Sequence, residues 1–401
     1  MTTASVGVVR VMADLHFRER AGFPDDAQGV NSWLSAQLDA FRQLCLAEPR
    51  PPVLVLAGDV VDKRGPLSAA VSWTVSRALN FAAKNFERVV VLAGNHDCPK
   101  RSGGWPSSLD PHFELLDEFP ALSFVREAPG LFPLSKAPAE LWLLVLPWTP
   151  DPAAMLAEVG EVARKAAKPL LVVGHCLVQG AETSSGFKAT GAEVCATDFA
   201  GLCGAQAVLL GDVHRRQEVK KARGGAGPVF YIGSPWQNDF GEMNDPQKGA
   251  IDVFFGARLA PSAAAQRTWT RIGGFGFGEK LGALWLVPSP APPHVIVNVG
   301  ADEFAQGAFK HARDLAATGS VVRVELAPGA PFDVRDAAAE GLFAVQTREV
   351  AARPRTLAVE PGGGPLEYLD LWMLEREKAG DPDGFDFLGL AIQEVAERVQ
   401  S

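Results

Sequence analysis

The chain has 401 residues, 47% of them hydrophobic, and carries a net charge of −9. At 42.7 kDa and a mean hydropathy of +0.05 it is larger than one ordinary domain and too apolar for a mostly disordered chain. No apolar run approaches the ~18 residues of a membrane-spanning helix, and no basic stretch with a long apolar segment opens the chain, so no membrane contact and a cytoplasmic location are expected.

The first half alternates short apolar runs with longer amphipathic stretches. Buried strands are expected at Val6–Met12, Val53–Ala57, Val89–Ala93, Leu141–Leu146, Leu170–Val173 and Ala207–Leu210. Helical spacing covers Asn31–Leu46 and Pro66–Phe86. This is the rhythm of a layered α/β domain. A further strand is expected at Val229–Ile232, and the Pro-rich run 288–293 reads as a linker. After it, strands at Val295–Val299 and Val321–Leu326 flank a helix over 301–317, a small βαβ pattern. A second break at Gly362–Gly364 precedes two amphipathic helices, over 366–378 and 388–399. The five cysteines form no CxxC pair and are odd in number, which fits reduced thiols.

Polar clusters follow the strands, where open α/β sheets hold their ligands. They are Asp14-Leu-His16, Gly58-Asp59-Val-Val-Asp62, Gly94-Asn95-His96-Asp97, Gly174-His175 and Gly211-Asp212-Val-His214. Four of the seven histidines fall in them. Glycine lets the backbone turn and brings the next side chain close to an ion. Carboxylate, imidazole and amide oxygen together suit a divalent ion such as manganese. Taken singly, each cluster has an ordinary reading: Asp14-x-His16 as a helix start, Gly58-Asp59 as a loop, His175 as a satisfied core or surface histidine. The ordered set of five at strand ends points instead to one dinuclear centre, with Asp59 bridging the ions.

That ordered set resembles the calcineurin-like metallophosphoesterase family, over roughly residues 8–215. The stretches Gly211–Gln217 and Tyr231–Glu242 (YIGSPWQNDFGE) resemble more narrowly the SbcD-type nucleases, which repair DNA double-strand breaks. The resemblance implies an α/β fold, a metallophosphoesterase β-sandwich flanked by helices over 1–285. It further implies a small α+β capping domain over 294–352 and a helical segment over 360–401 that binds an SbcC-type ABC ATPase. It implies a metal-dependent 3′–5′ exonuclease and endonuclease acting on double-stranded DNA ends and single strands, as a homodimer associated with the nucleoid.

Carried over by motif position, Asp14, His16, Asp59 and His214 bind one cation, and Asp59, Asn95, His175 and Asp212 the other. The two cations are Mn2+ by expectation, with Mg2+ the alternative. His96 faces the scissile phosphate, to stabilise the transition state or protonate the leaving oxygen. Asp97 orients that imidazole, and Asp62 braces the loop from behind. Where the family has a histidine this chain has Asp212, which adds negative charge and hardness.

A phosphodiester also needs fixed cations. Arg215 and Arg216 follow the last ligand, Arg64 follows the bridging motif, and Lys100 and Arg101 follow GNHD. Trp105, Phe113 and Trp236 could stack on bases, although core packing is the commoner role. Two other readings remain at this level: a phosphomonoesterase or cyclic-nucleotide phosphodiesterase of the same fold, and a scaffold without catalysis.

Overall fold

A computed structural model describes residues 9–346, apart from 63–64, 99–106, 115–119, 135–140, 167–169, 191, 193, 203–204, 220–226, 256–259, 278–279, 303 and 340–341. The chain divides into units 1–347 and 348–401. The helices expected over 366–378 and 388–399, and with them the segment 360–401, lie outside the described residues.

The strands of the described residues run β1 (Val9–Met12), β2 (Val53–Ala57), β3 (Arg88–Leu92), β4 (Leu122–Val125), β5 (Gly130–Pro133), β6 (Trp142–Leu146), β7 (Leu170–His175) and β8 (Ala205–Gly211). Then come β9 (Gln217–Val219), β10 (Val229–Tyr231), β11 (Gly249–Phe255), β12 (Thr270–Phe277), β13 (Lys280–Pro288), β14 (His294–Val299), β15 (Val321–Leu326) and β16 (Phe343–Gln346). The helices are α1 (Ser32–Leu46), α2 (Ala69–Asn85), α3 (Asp110–Glu114), α4 (Pro152–Ala166), α5 (Ala305–Ala317) and α6 (Val334–Ala339).

Two sheets form a sandwich. One has the order β12-β13-β11-β1-β2-β3-β4, the other β5-β6-β7-β8-β10-β9. β1 to β4 are parallel to one another, as are β6, β7, β8 and β10. Strand alternation sorts their side chains. Val53, Val55 and Ala57 meet Val145, Val173 and Leu209 between the sheets. Leu54 and Leu56 face the other way, onto α1 and α2. Leu144, Val172 and Leu210 do the same toward α4 on the second sheet. The result is a helix–sheet–sheet–helix sandwich, in which strands buried on both faces read as unbroken apolar runs.

The helices follow their apolar faces. α1 buries Trp33, Leu34, Leu38, Phe41 and Cys45, the i, i+4, i+7 stripe of an amphipathic helix. α2 begins later than the periodicity suggests. Ser68 is its N-cap and accepts from Val71 N, so the helix starts at Ala69. β7 and β8 run past their apolar cores to His175 and Gly211, which pair across the ladder; backbone hydrogen bonds extend a strand without apolar side chains. After the prolines, β14, β15 and β16 make a separate three-stranded parallel sheet with α5 and α6 and a small core of its own.

Candidate metal centre

The carboxyl ends of the parallel strands of both sheets meet at one edge. Asp14 follows β1, Asp59 follows β2, Asn95 follows β3, His175 ends β7 and Asp212 follows β8. The turns that bring them together are strained. Among the described residues, the non-glycine positions with positive φ are Asp14 (55°), His16 (44°), Asp59 (51°) and Asp212 (93°). Each is a predicted ligand, and left-handed backbone persists in such residues only where the surroundings over-determine it. The over-determination is visible as backbone bonds between neighbouring loops. Asp14 N donates to Gly58 O (3.1 Å) and His16 N to Asp59 O (2.9 Å). Two glycines are required by close approach. A Cβ on Gly58 would strike the His175 ring, and one on Gly94 would strike the Asp59 carboxylate and backbone nitrogen.

Among the described residues three overlapping groups of possible ligating atoms occur: Asp14–His16–His214, Asp14–Asp59–His175 and, beside the first, His16–Asp62–His96. In the first, His16 Nε2 and His214 Nε2 stand 2.9 Å apart. Their other nitrogens face carboxylates: His16 Nδ1 is 3.3 Å from Asp62 Oδ1 and His214 Nδ1 is 2.6 Å from Glu242 Oε1. If both Nδ1 atoms donate, two lone pairs converge, an arrangement that a cation satisfies. His16 Nε2 is also 3.6 Å from Asp59 Oδ2. In the second group, His175 Nδ1 is 2.9 Å from Ala57 O, so it carries the proton and donates. Nε2 is then the ligating atom, 3.1 Å from Asn95 Oδ1, 3.5 Å from Asp59 Oδ1 and 3.7 Å from Asp212 Oδ1. Buried Asp14 Oδ2 has no hydrogen-bond partner, and Asp14 Oδ1 accepts from Asp212 N. Carboxylate, amide and imidazole groups that converge in this way fit two divalent cations held by Asp14, His16, Asp59, Asn95, His175, Asp212 and His214.

The electrostatics agree. Burial raises the carboxyls of Asp14 and Asp59 above the usual range. Burial lowers His16 to about 3. It also pulls His175 and His214 down, but the facing carboxylates outweigh it and hold both at about 9; these are Asp59, Asp212 and Asp14 for His175, and Glu242 and Asp14 for His214.

The supporting residues divide differently from expectation. Asp97 does not orient His96. It is fully buried and its carboxylate accepts from Gly94 N (2.8 Å), Val61 N (3.1 Å) and Val60 N (3.4 Å), which staples the β2 and β3 loops together. The reason is hydrogen bonding: a buried carboxylate needs donors, and these three backbone N–H groups supply them. His96 is oriented by Asp62 instead, whose backbone carbonyl accepts from His96 Nδ1 at 2.6 Å. His96 N donates to Asp59 Oδ1 (2.8 Å), and its ring meets His16 edge-on at 4.8 Å. Asp62 therefore serves two histidines, one by side chain and one by backbone, and Arg18 holds its carboxylate at 3.2 Å.

Glu242 is the residue that motif reading left without a role. It lies in the one-turn 3₁₀ helix Phe240–Glu242 and is buried. Besides His214, its carboxylate meets Lys248 Nζ (2.7 Å), Ser234 Oγ (3.0 Å) and Asn238 N (3.2 Å). The histidine and these cationic and hydrogen-bonding partners outweigh burial and keep Glu242 ionised well below the usual range. Its signal was present in the Tyr231–Glu242 stretch, whose Ser234, Asn238 and Glu242 build this one wall of the centre.

Of the expected substrate cations, Arg215 pairs with Glu182 at 3.2 Å and Arg216 donates to Gln247 O at 2.7 Å. Arg64, Lys100 and Arg101 lie outside the described residues, as does Trp105. Phe113 stacks on Phe124 at 4.4 Å and Trp236 is buried against Phe17, so both pack in the core.

Such convergence at the strand ends of a β-sandwich defines a dinuclear metallohydrolase frame. The profile of the calcineurin-like phosphoesterase family matches residues 8–216, about half of the chain, and the chain belongs to that family, whose members use two divalent metal ions. An uncharacterized protein of Acanthamoeba polyphaga mimivirus, R555, is 24% identical over 193 residues, 47% of this chain and 13% of that protein. The chain thus spans only a small part of that relative's length. Similar solved structures include a phosphopantetheinyl hydrolase from Mycobacterium tuberculosis, at 13% identity, TM-score 0.34, and 58% and 91% coverage of this chain and that one. Another is a dimetal phosphatase from Danio rerio, at 11% identity, TM-score 0.39, and coverage of 62% and 93%.

Proposed function

We propose that this protein is a nuclease that hydrolyses DNA phosphodiesters at ends and in single strands, with two Mn2+ ions, in the cytoplasm and alongside an SbcC-type ATPase. The observation that carries the hydrolytic reading is the pair of Nε2 atoms of His16 and His214 at 2.9 Å, each backed by a carboxylate. The DNA reading is supported by the Tyr231–Glu242 stretch, the part of the chain that resembles SbcD-type nucleases and that carries Glu242 to His214.

When bound, the two cations activate the attacking water and neutralise charge on the phosphoryl oxygens. This chain's residues do the rest. Asp62 O accepts from His96 Nδ1 and leaves Nε2 free to act: with a second proton on the ring, Nε2 donates it to the leaving oxygen and the ring stays neutral with Nδ1–H on Asp62 O. Asp97 holds the two loops that carry Asp59 and His96 at a constant spacing. Glu242 fixes the tautomer of His214, and the Asp62 carboxylate faces His16 Nδ1 at 3.3 Å.

The test compares end-labelled double-stranded DNA, single-stranded DNA and an aryl phosphomonoester with Mn2+, using His96→Ala as control. Cleavage of DNA that falls about 10²–10⁴-fold in the variant is expected, the usual size of a general acid–base contribution. Turnover of the monoester with DNA left intact would establish the alternative, a phosphomonoesterase on the same centre.

A further inference from the structure

The module formed by β14, β15, β16, α5 and α6 touches the metal centre through one short turn. Phe240 and Glu242 lie in the same 3₁₀ helix. Glu242 holds His214, and Phe240 points to the module seam. Two guanidinium carbons lie near the Phe240 ring: Arg20 of the sandwich at 5.0 Å and Arg323 of β15 at 4.9 Å. Two like charges this close repel, and the shared ring quadrupole offsets the repulsion. His294, the first residue of β14, packs its ring on Phe240 at 4.8 Å and on Trp33 at 5.2 Å. Arg20 Nη1 reaches His294 Nε2 at 3.4 Å.

A second link runs through the backbone. His294 N donates to Gln237 Oε1 at 2.5 Å, and Gln237 Nε2 donates to Glu242 O at 3.2 Å. The position of the module is thus passed to Glu242 by an aromatic clamp and by an amide bridge. The far end of both is the 2.6 Å contact between Glu242 and His214.

We propose that the 294–346 module tunes the metal centre: Arg323 and His294, through Phe240 and Gln237, are positioning residues that hold Glu242 against His214 and so set the affinity of the cation bound by Asp14, His16, Asp59 and His214. The seam is a built-in point of control, since anything that displaces the module loosens one cation and not the other.

The test is calorimetric titration of the metal-depleted full chain with Mn2+, with bound manganese counted by electron paramagnetic resonance. Arg323→Ala and Phe240→Leu are each expected to weaken one of two Mn2+ ions about tenfold, the lower end of what loss of a supporting residue does to metal affinity. The other ion stays within about twofold. Arg323→Lys keeps a cation over the ring and recovers most of the loss. Glu325→Gln removes the 2.5 Å ion pair of Arg323 within the module and leaves both ions as in the parent, as does Arg335→Ala on the exposed face. Parental binding of both ions by Arg323→Ala and Phe240→Leu overturns the proposal. Equal weakening of both ions overturns it too, because that marks general loosening. Because manganese binding is the readout, a negative DNA-cleavage assay does not bear on it.

Discussion

Histidines 175 and 214 carry protons at neutral pH, since facing carboxylates hold both at about 9. A cation must displace those protons to reach Nε2. Loading with Mn2+ at pH 7 should therefore release protons, up to one from each histidine. Affinity should rise with pH until about 9 and then level off. Calorimetry in two buffers of different ionisation enthalpy measures the proton count, and a pH-independent affinity between 6 and 9 would contradict the assignment. His16 adds nothing to this count, because burial already keeps it neutral, at about 3. Asp97 shows how far motif reading goes at this scale. Adjacency to His96 in sequence suggests an orienting carboxylate, yet the carboxylate binds three backbone N–H groups instead. The residue types at the centre were legible one by one. Which carboxylate backs which imidazole was not, because His16 and Asp62, and likewise His214 and Glu242, lie on different loops that only the fold brings together.

At the scale of elements, apolar runs and helical stripes locate strands and helices well, since burial on one or two faces is a local pattern. What such patterns do not show is how a charged residue inside a strand is satisfied. Arg10 sits in the middle of β1 and is fully buried. It pairs with Asp252 of β11 at 2.6 Å and also donates to the carbonyls of Leu44, Cys45, Ala47 and Pro49, where α1 ends. One guanidinium thus closes a helix C-terminus and ties two strands together. Asp252→Ala leaves that guanidinium buried without its carboxylate and should destabilise the chain by about 3–5 kcal/mol. Urea unfolding followed by circular dichroism measures this, and a change under about 1 kcal/mol would show that the carbonyls alone suffice.

For the whole molecule, the sandwich and the 294–346 module share the turn at Phe240. The segment 360–401 is the proposed docking element for an ATPase, on the strength of its amphipathic pattern: Leu366, Tyr368, Leu369, Leu371, Trp372 and Leu374 fall within nine positions. More apolar surface is concentrated there than one short helix hides alone. Removing 360–401 should abolish co-purification with an SbcC-type ATPase while Mn2+ binding by the remaining residues 1–359 stays intact. Retained co-purification would put the contact elsewhere on the chain. At −9 the molecule as a whole repels a polyanion, so the proposed action on DNA requires local positive charge, which two bound cations would supply.

By itself the amino-acid order determined the layered α/β frame and the polar clusters at its strand ends, because alternation and strand-terminal polar clusters are local and repeat in order. Only the folded chain decided the partners: Asp62 rather than Asp97 for His96, Glu242 for His214, and the Arg20–Phe240–Arg323 clamp that joins the module to the centre. The physical reason is range. Hydrophobic periodicity is written within a few residues, whereas a hydrogen bond across two loops depends on where two sheets bring their edges.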